Sequence, residues 1–124
     1  MGVEIKLDYG AIAGLEKAAE RAAKMTIDAV KADVVTAQVM PFDTGTMQNT
    51  DTFVDESRES DVIVASINTD APQARRLYYH PEYNFQTVNN PNARGEWLEP
   101  WLEGDRSEFA EETFREFFKK EAGL

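Results

Sequence analysis

Cysteine is absent from this chain, histidine occurs once, and no long apolar run is present. Without thiols there is neither a disulfide framework nor a thiolate zinc site. Without an apolar stretch of about twenty residues, no helix of it spans a bilayer. The N-terminus lacks a basic segment followed by an apolar one, so no secretory signal is expected. Met1-Gly2 opens like a myristoylation site, but Lys6 stands where that site needs Ser or Thr. A Gly-rich phosphate loop is missing as well. These absences lead one to expect a chain made and used in a cytoplasm, or in something assembled there. Positive charge is also short: 13 basic residues face 23 acidic ones, for a net −10. The imbalance grows along the chain, from −1 in residues 1–40 to −4 in 41–80 and −5 in 81–124. Nucleic-acid affinity comes largely from Lys and Arg neutralising phosphates, so no direct sequence-specific nucleic-acid binding is expected.

What is present reads as one domain of 124 residues, large enough to bury a core without staples. Val3, Ile5 and Leu7 alternate with Glu4, Lys6 and Asp8, which predicts a short first strand broken at Tyr9 and Gly10. Residues 11–39 hold no proline and a single glycine, Gly14. There Ala23, Ile27, Val30, Val34 and Ala37 fall at alternating four- and three-residue steps, the mark of a buried helical stripe. Leu15, Ala18, Ala22, Met25, Ala29 and Ala32 form a second stripe of small residues beside it. Such a helix lies across its own sheet, or packs one stripe there and offers the other to a neighbouring subunit.

The helix must end at Pro41, which lacks an N–H and clashes with the preceding turn. Asp43 and Thr44 can bond nearby backbone with their side chains, and Gly45 can take the positive φ of a tight turn. Alternation then predicts a strand from Met47 through residues 50–55, an acidic surface turn at 55–60, and a second strand at 62–68. Residues 74–81 read as a strand or a helical turn, 83–88 as a strand, and 89–95 as a mobile exposed loop. Pro100, Trp101 and Leu102 open a final helix that Gly104 interrupts, with Asp105 and Glu108 placed for a fresh capping box. Phe109, Ala110, Phe114, Phe117 and Phe118 give that helix an apolar face, and Gly123 stops it.

No constellation carries chemistry. His80 is the sole candidate base, and a triad would need a nucleophile and an orienting carboxylate beside it. Asp70, His80 and Glu82 could meet at a metal, but one histidine among hard carboxylates is a poor donor set. No cofactor is expected.

Three segments, in order, resemble a known family. The first is Pro41-Phe42-Asp43-Thr44-Gly45-Thr46-Met47 with Thr50, placed directly after the Ala-rich helix. The second runs over residues 74–85, with Arg75, Arg76, Tyr78, Tyr79, His80, Tyr83 and Phe85. The third is Asn90-Pro91-Asn92-Ala93 followed by Trp97-Leu98-Glu99-Pro100-Trp101-Leu102. Together they are similar to the minor capsid or head–tail joining (neck, tail-completion) proteins of long-tailed double-stranded-DNA bacteriophages and prophages. The resemblance covers the chain from about residue 11 to its end. Met47 and Thr50 stand where the family often has Leu and Ser, and Thr46 where it often has a basic residue.

The resemblance implies an α+β fold: a small curved antiparallel sheet packed by a long N-terminal helix and a C-terminal amphipathic helix. It implies a non-enzymatic structural protein of the virion, placed at the neck or head–tail interface and assembled in the host cytoplasm. Its partners would be other neck and tail proteins and further copies of itself in a ring, with no membrane. Pro41, Asp43, Thr44 and Gly45 would form the structural turn. Tyr78, Tyr79, Tyr83, Phe85, Trp97 and Trp101 would serve the interface or the core. The alternatives are a soluble protein-binding adaptor and a small acidic hydrolase using His80, with Asp43, Asp70 and Glu82 as its acids.

Overall fold

A computed structural model describes residues 2–8, 16–42, 45–59 and 62–123, without the side chains of 5–8 and 59. In chain order the elements are β1 (Gly2–Asp8), α1 (Glu16–Ala37), α2 (Thr46–Asn49), β2 (Thr52–Glu59), β3 (Val62–Thr69), α3 (Ala74–Tyr78), α4 (Glu99–Leu102) and α5 (Phe109–Ala122). The fold is α+β. The sheet has three strands in the order β1-β3-β2, antiparallel throughout. Val3 pairs with Ile67, and Val54 pairs with Ile67 from the other side. Residues directly opposite one another share a face. Ile63, Ala65, Ile67 and Thr69 are buried in strict alternation along β3, so one face of the sheet turns to the core.

That face is covered by α1, whose expected first stripe is realised. Ala23, Ile27, Val30 and Val34 are all buried, with Met40 and Met47 closing the core below them. Thr26 is buried in the same helix and donates its hydroxyl to the Ala22 carbonyl at 2.6 Å. The second stripe is covered by the chain itself only at its N-terminal end: Met25 and Ala29 are half-buried, Ala32 is exposed, and Leu15 lies outside the described residues. Ala18 and Ala22 are buried, and α5 packs along α1, with Phe109, Phe114 and Phe118 half-buried against the core. An Arg21–Glu121 ion pair at 2.8 Å ties the two helices. Small residues on α1 let the bulky phenylalanines of α5 approach closely. α5 thus covers the N-terminal half of this stripe, and Ala32 stays in solvent.

Several expectations need correction. No strand begins at Met47. Gly45 turns the chain into one helical turn, α2, and the strand starts at Thr52. Its place is fixed by the Thr52 hydroxyl, which donates to the Met47 carbonyl at 2.7 Å and lies 3.0 Å from the Thr69 hydroxyl. Residues 55–59 are not a surface turn but the second half of β2. As an edge strand, β2 can keep its acids in solvent while its backbone pairs with β3, and charge on an edge discourages stray pairing. Arg58 reaches Glu20 on α1 at 2.9 Å. Glu56 is exposed, yet partial desolvation and the nearby carboxylates of Glu20, Asp28 and Asp55 push its carboxyl up from its ordinary range, against the pull of Lys24.

Residues 74–78 are helical, and 83–88 form no strand. The latter run over the surface with no partner strand among the described residues. The final helix is split as Gly104 suggested, but α5 begins later, at Phe109, and Glu108 caps it without any side-chain bond. Its stop falls at Gly123, as expected. The break at Tyr9 and Gly10, the start of the long helix at residues 11–15, and Asp43 and Thr44 of the turn lie outside the described residues.

Gly45 does take the expected conformation, at φ 87°. It is buried, and a Cβ there would lie 2.8 Å from the Phe42 ring and 3.0 Å from the Asn49 side-chain amide. Gly45→Val should therefore cost roughly 1–3 kcal/mol through backbone strain alone. Gly45→Asn should cost less, since Asn tolerates the left-handed region. Urea unfolding of both variants measures this; a Gly45→Val protein as stable as the wild type would remove the strained turn.

Candidate functional site

The end of α1 has no glycine to cap it, and Gln38 itself adopts the left-handed conformation at φ 57°. Carbonyls in the last turn of a helix need donors from outside it. Here residues 90–94 supply them. The Asn92 side chain donates to the Ala37 carbonyl at 3.0 Å and its backbone N–H to Gln38 at 3.2 Å. The Arg94 N–H donates to Val39 at 2.9 Å. The buried Asn90 amide donates to the Met40 carbonyl at 2.9 Å and to the Gln48 side chain at 2.8 Å. The segment expected as a mobile loop thus caps α1 and ties it to α2.

Gly95 carries the chain from this cap onto α3. It is buried, and a Cβ there would meet Pro81 at 2.7 Å and the Leu77 carbonyl at 3.0 Å. Just beyond it, the Glu96 N–H donates to the Tyr78 carbonyl at 2.8 Å. Close approach of two backbones is the reason for glycine at this point.

These ties bring the turn after α1 against α3 and residues 84–86, and between them lies a cleft of about 470 Å³. Phe42, Met47, Leu77 and Phe85 give it apolar walls; Asp51, Gln73, Arg76 and Asn84 add polar groups. The Gln86 side chain spans it, donating to the Phe42 carbonyl. Among the described residues Arg76 makes no ion pair, and Arg75 lies over the Tyr79 ring at 5.9 Å.

The described site residues expected from sequence divide in three. Pro41, Gly45 and Phe85 line the cleft. Tyr78, Trp97 and Trp101 are buried: Trp97 meets Tyr78 edge-on at 4.8 Å, and Trp101 donates its indole N–H to Asp33 at 2.9 Å. The Tyr78 hydroxyl is pushed up to about 12 by burial and by Glu99 and Glu96, so it stays neutral. Tyr79 and Tyr83 stand in solvent, 59% and 42% exposed. Asp43 and Thr44 lie outside the described residues.

His80 stacks on Tyr83, ring centres 4.7 Å apart, and bonds the Glu82 carboxylate at 2.9 Å. That hydrogen bond holds Glu82 below the usual carboxylate range. Both side chains are exposed, and among the described residues no hydroxyl nucleophile joins them. Asp70 does not join them either: the described residues hold no group of three potential metal ligands. The His80–Glu82 pair braces Tyr83 at the surface.

Sequence reasoning missed Asn90 as a structural donor, Asp33, and the role of Arg76. Asp33 accepts from Trp101 and, at 2.7 Å, from Arg106, so it pins α1 to the start of the C-terminal region. Its signal was available: it is an acid set between Ala32 and Val34, beside the apolar stripe. Among the described residues no helix is long and apolar enough to cross a membrane. No protein-family model, curated protein or solved structure matches the chain.

Proposed function

We propose that this chain is a non-enzymatic structural protein of a bacteriophage neck, joining the DNA-filled head to the tail as one subunit of a ring. The observation that carries the proposal is spatial. Two of the three segments that resemble the joining proteins, distant in sequence, fold against one another to make the cleft. The third supplies the residues that cap α1 and the two buried tryptophans that anchor the C-terminal region. The resemblance is thus coherent in space as well as in order.

The surface around the cleft suits docking better than catalysis. It combines exposed tyrosines with arginines, residue types that concentrate binding energy at protein interfaces. Its histidine is engaged with a carboxylate and a tyrosine ring. A strongly acidic exterior suits a collar that must let DNA pass without gripping it.

Deleting the gene from its phage should leave DNA synthesis, heads and tails intact while blocking their union. Electron microscopy of the lysate reads the outcome directly. Separate heads and tails support the joining role; joined, infectious particles would refute it.

A further inference from the structure

Charge is uneven along the C-terminal half of the sequence. Residues 71–95 hold three arginines and one carboxylate, a net +2, whereas 96–116 hold two arginines and eight carboxylates, a net −6. Both arginines of the acidic stretch are already engaged, Arg106 with Asp33 at 2.7 Å and Arg115 with Glu111 at 3.0 Å. Its corner between α4 and α5 projects an apolar side chain, Leu102, 47% exposed and followed by exposed Glu103 and Asp105. The basic stretch has the converse design. Arg76 lines a cleft with apolar walls, where Asp51 is the carboxylate among the lining residues, and Arg75 stands next to Arg76 on α3 over exposed Tyr79.

We infer that the α4–α5 corner of one copy docks in the cleft of the next, Leu102 on the apolar walls and Glu103 and Asp105 against Arg75 and Arg76. Glu103 and Asp105 oppose Arg75 and Arg76 in charge, two against two, and Leu102 matches the apolar walls; Asp51 is the acid that the two arginines must outweigh. A volume of about 470 Å³ is ample for one leucine and its flanking backbone. The contact joins different patches on the two copies, so it is heterologous and propagates head to tail. Closure into a ring rests on the neck reading; the contact itself does not. The two arginines stand on a chain that is otherwise strongly acidic, which favours an acidic protein segment over a phosphate backbone as the occupant.

The test is sedimentation velocity of the whole chain over a range of concentrations. The wild type should associate in about 0.1 M salt and dissociate in about 1 M, where the screening length falls from about 10 Å to about 3 Å. Arg75→Glu/Arg76→Glu and Glu103→Lys/Asp105→Lys should each weaken association at least about tenfold, because each sets like charges face to face. An equimolar mixture of the two variants should associate again, since Arg meets acid at one contact and Glu meets Lys at the next. Leu102→Asp should weaken association without rescue by either. All these residues are exposed, and circular dichroism checks that each variant is folded.

A wild-type chain that stays monomeric in low salt overturns the contact, as does association indifferent to both reversals. Binding of a short oligonucleotide that depends on Arg75 and Arg76, without self-association, would assign the face to nucleic acid instead. Neither result alters the microscopy of the deletion lysate, which judges the joining role separately.

Discussion

Trp97→Ala should destabilise the protein by about 3–5 kcal/mol, the usual cost of emptying a large aromatic site in a core. Trp97 is fully buried, contacts Tyr78 edge-on at 4.8 Å, and sits in the core with Ile27, Val30 and Ile67. It also carries the one buried side-chain nitrogen or oxygen without a hydrogen-bond partner among the described residues, its indole Nε1. An unpaired buried donor costs about 1–3 kcal/mol. Trp97→Phe removes that donor while keeping an aromatic ring against Tyr78. It should therefore lose at most about half of what the alanine variant loses, the smaller cavity being offset by the vanished N–H. Urea unfolding followed by circular dichroism measures both. Against a total stability of about 5–15 kcal/mol, the alanine variant would be marginal. An alanine variant within about 1 kcal/mol of wild type would mean that Trp97 is not a centre of the core.

The same tryptophan shows why the fold was only partly legible. Strand β3 and helix α1 could be read from the chain because each buries one face and exposes the other, and that contrast writes itself into the sequence period. In β3 the alternation of Ile63, Ala65, Ile67 and Thr69 is complete. In α1 the stripe from Ala23 to Val34 is equally regular. Strand β2 failed halfway, because an edge strand can fill its outer half with Asp55, Glu56, Ser57 and Arg58, and these look like turn residues. Residues 83–88 failed the other way. They alternate, but alternation makes a strand only where a partner offers a ladder. Trp97 and Trp101 are packed from loops and one-turn helices with no period to betray which side is inward. Their partners, Tyr78 and Asp33, lie far back in the chain.

The candidate site was legible in its pieces and not in its assembly. Gly45 announced its left-handed turn, and the aromatic residues of 78–85 announced packing or contact. Which of them would be core and which surface was decided by α3. As a helix it turns Tyr78 inward and leaves Tyr79 outside, edge-on to its neighbour at 5.2 Å. The cap formed by Asn90, Asn92 and Arg94 was the least legible part. A run rich in Asn, Pro and Gly has the composition of a free loop, yet its amides are also the donors that a glycine-free helix end requires.

On the proposed joining role, replacing both Tyr79 and Tyr83 with alanine should abolish joining in a phage whose own gene is deleted, while leaving the fold intact. Both rings are exposed, so their loss removes little core packing, and surface changes usually stay within about 0.5 kcal/mol. At an interface the same rings are worth far more: a hot-spot tyrosine contributes about 2 kcal/mol or more, over tenfold in binding for each. In the proposed ring every contact repeats, so the deficit would multiply around it. His80→Ala should behave differently. It removes the brace on Tyr83 but leaves both tyrosine rings in place, so joining should weaken far less than in the double variant and heads and tails should still unite. The measurement is complementation by plasmid-borne variants, scored by plaque count and by electron microscopy of unjoined particles. Thermal unfolding of each purified variant separates a lost contact from a lost fold. A folded His80→Ala protein that fails to complement, beside a Tyr79→Ala/Tyr83→Ala protein that succeeds, would overturn the docking role and turn attention to chemistry at His80. The opposite pattern would locate joining on the exposed tyrosines that follow α3.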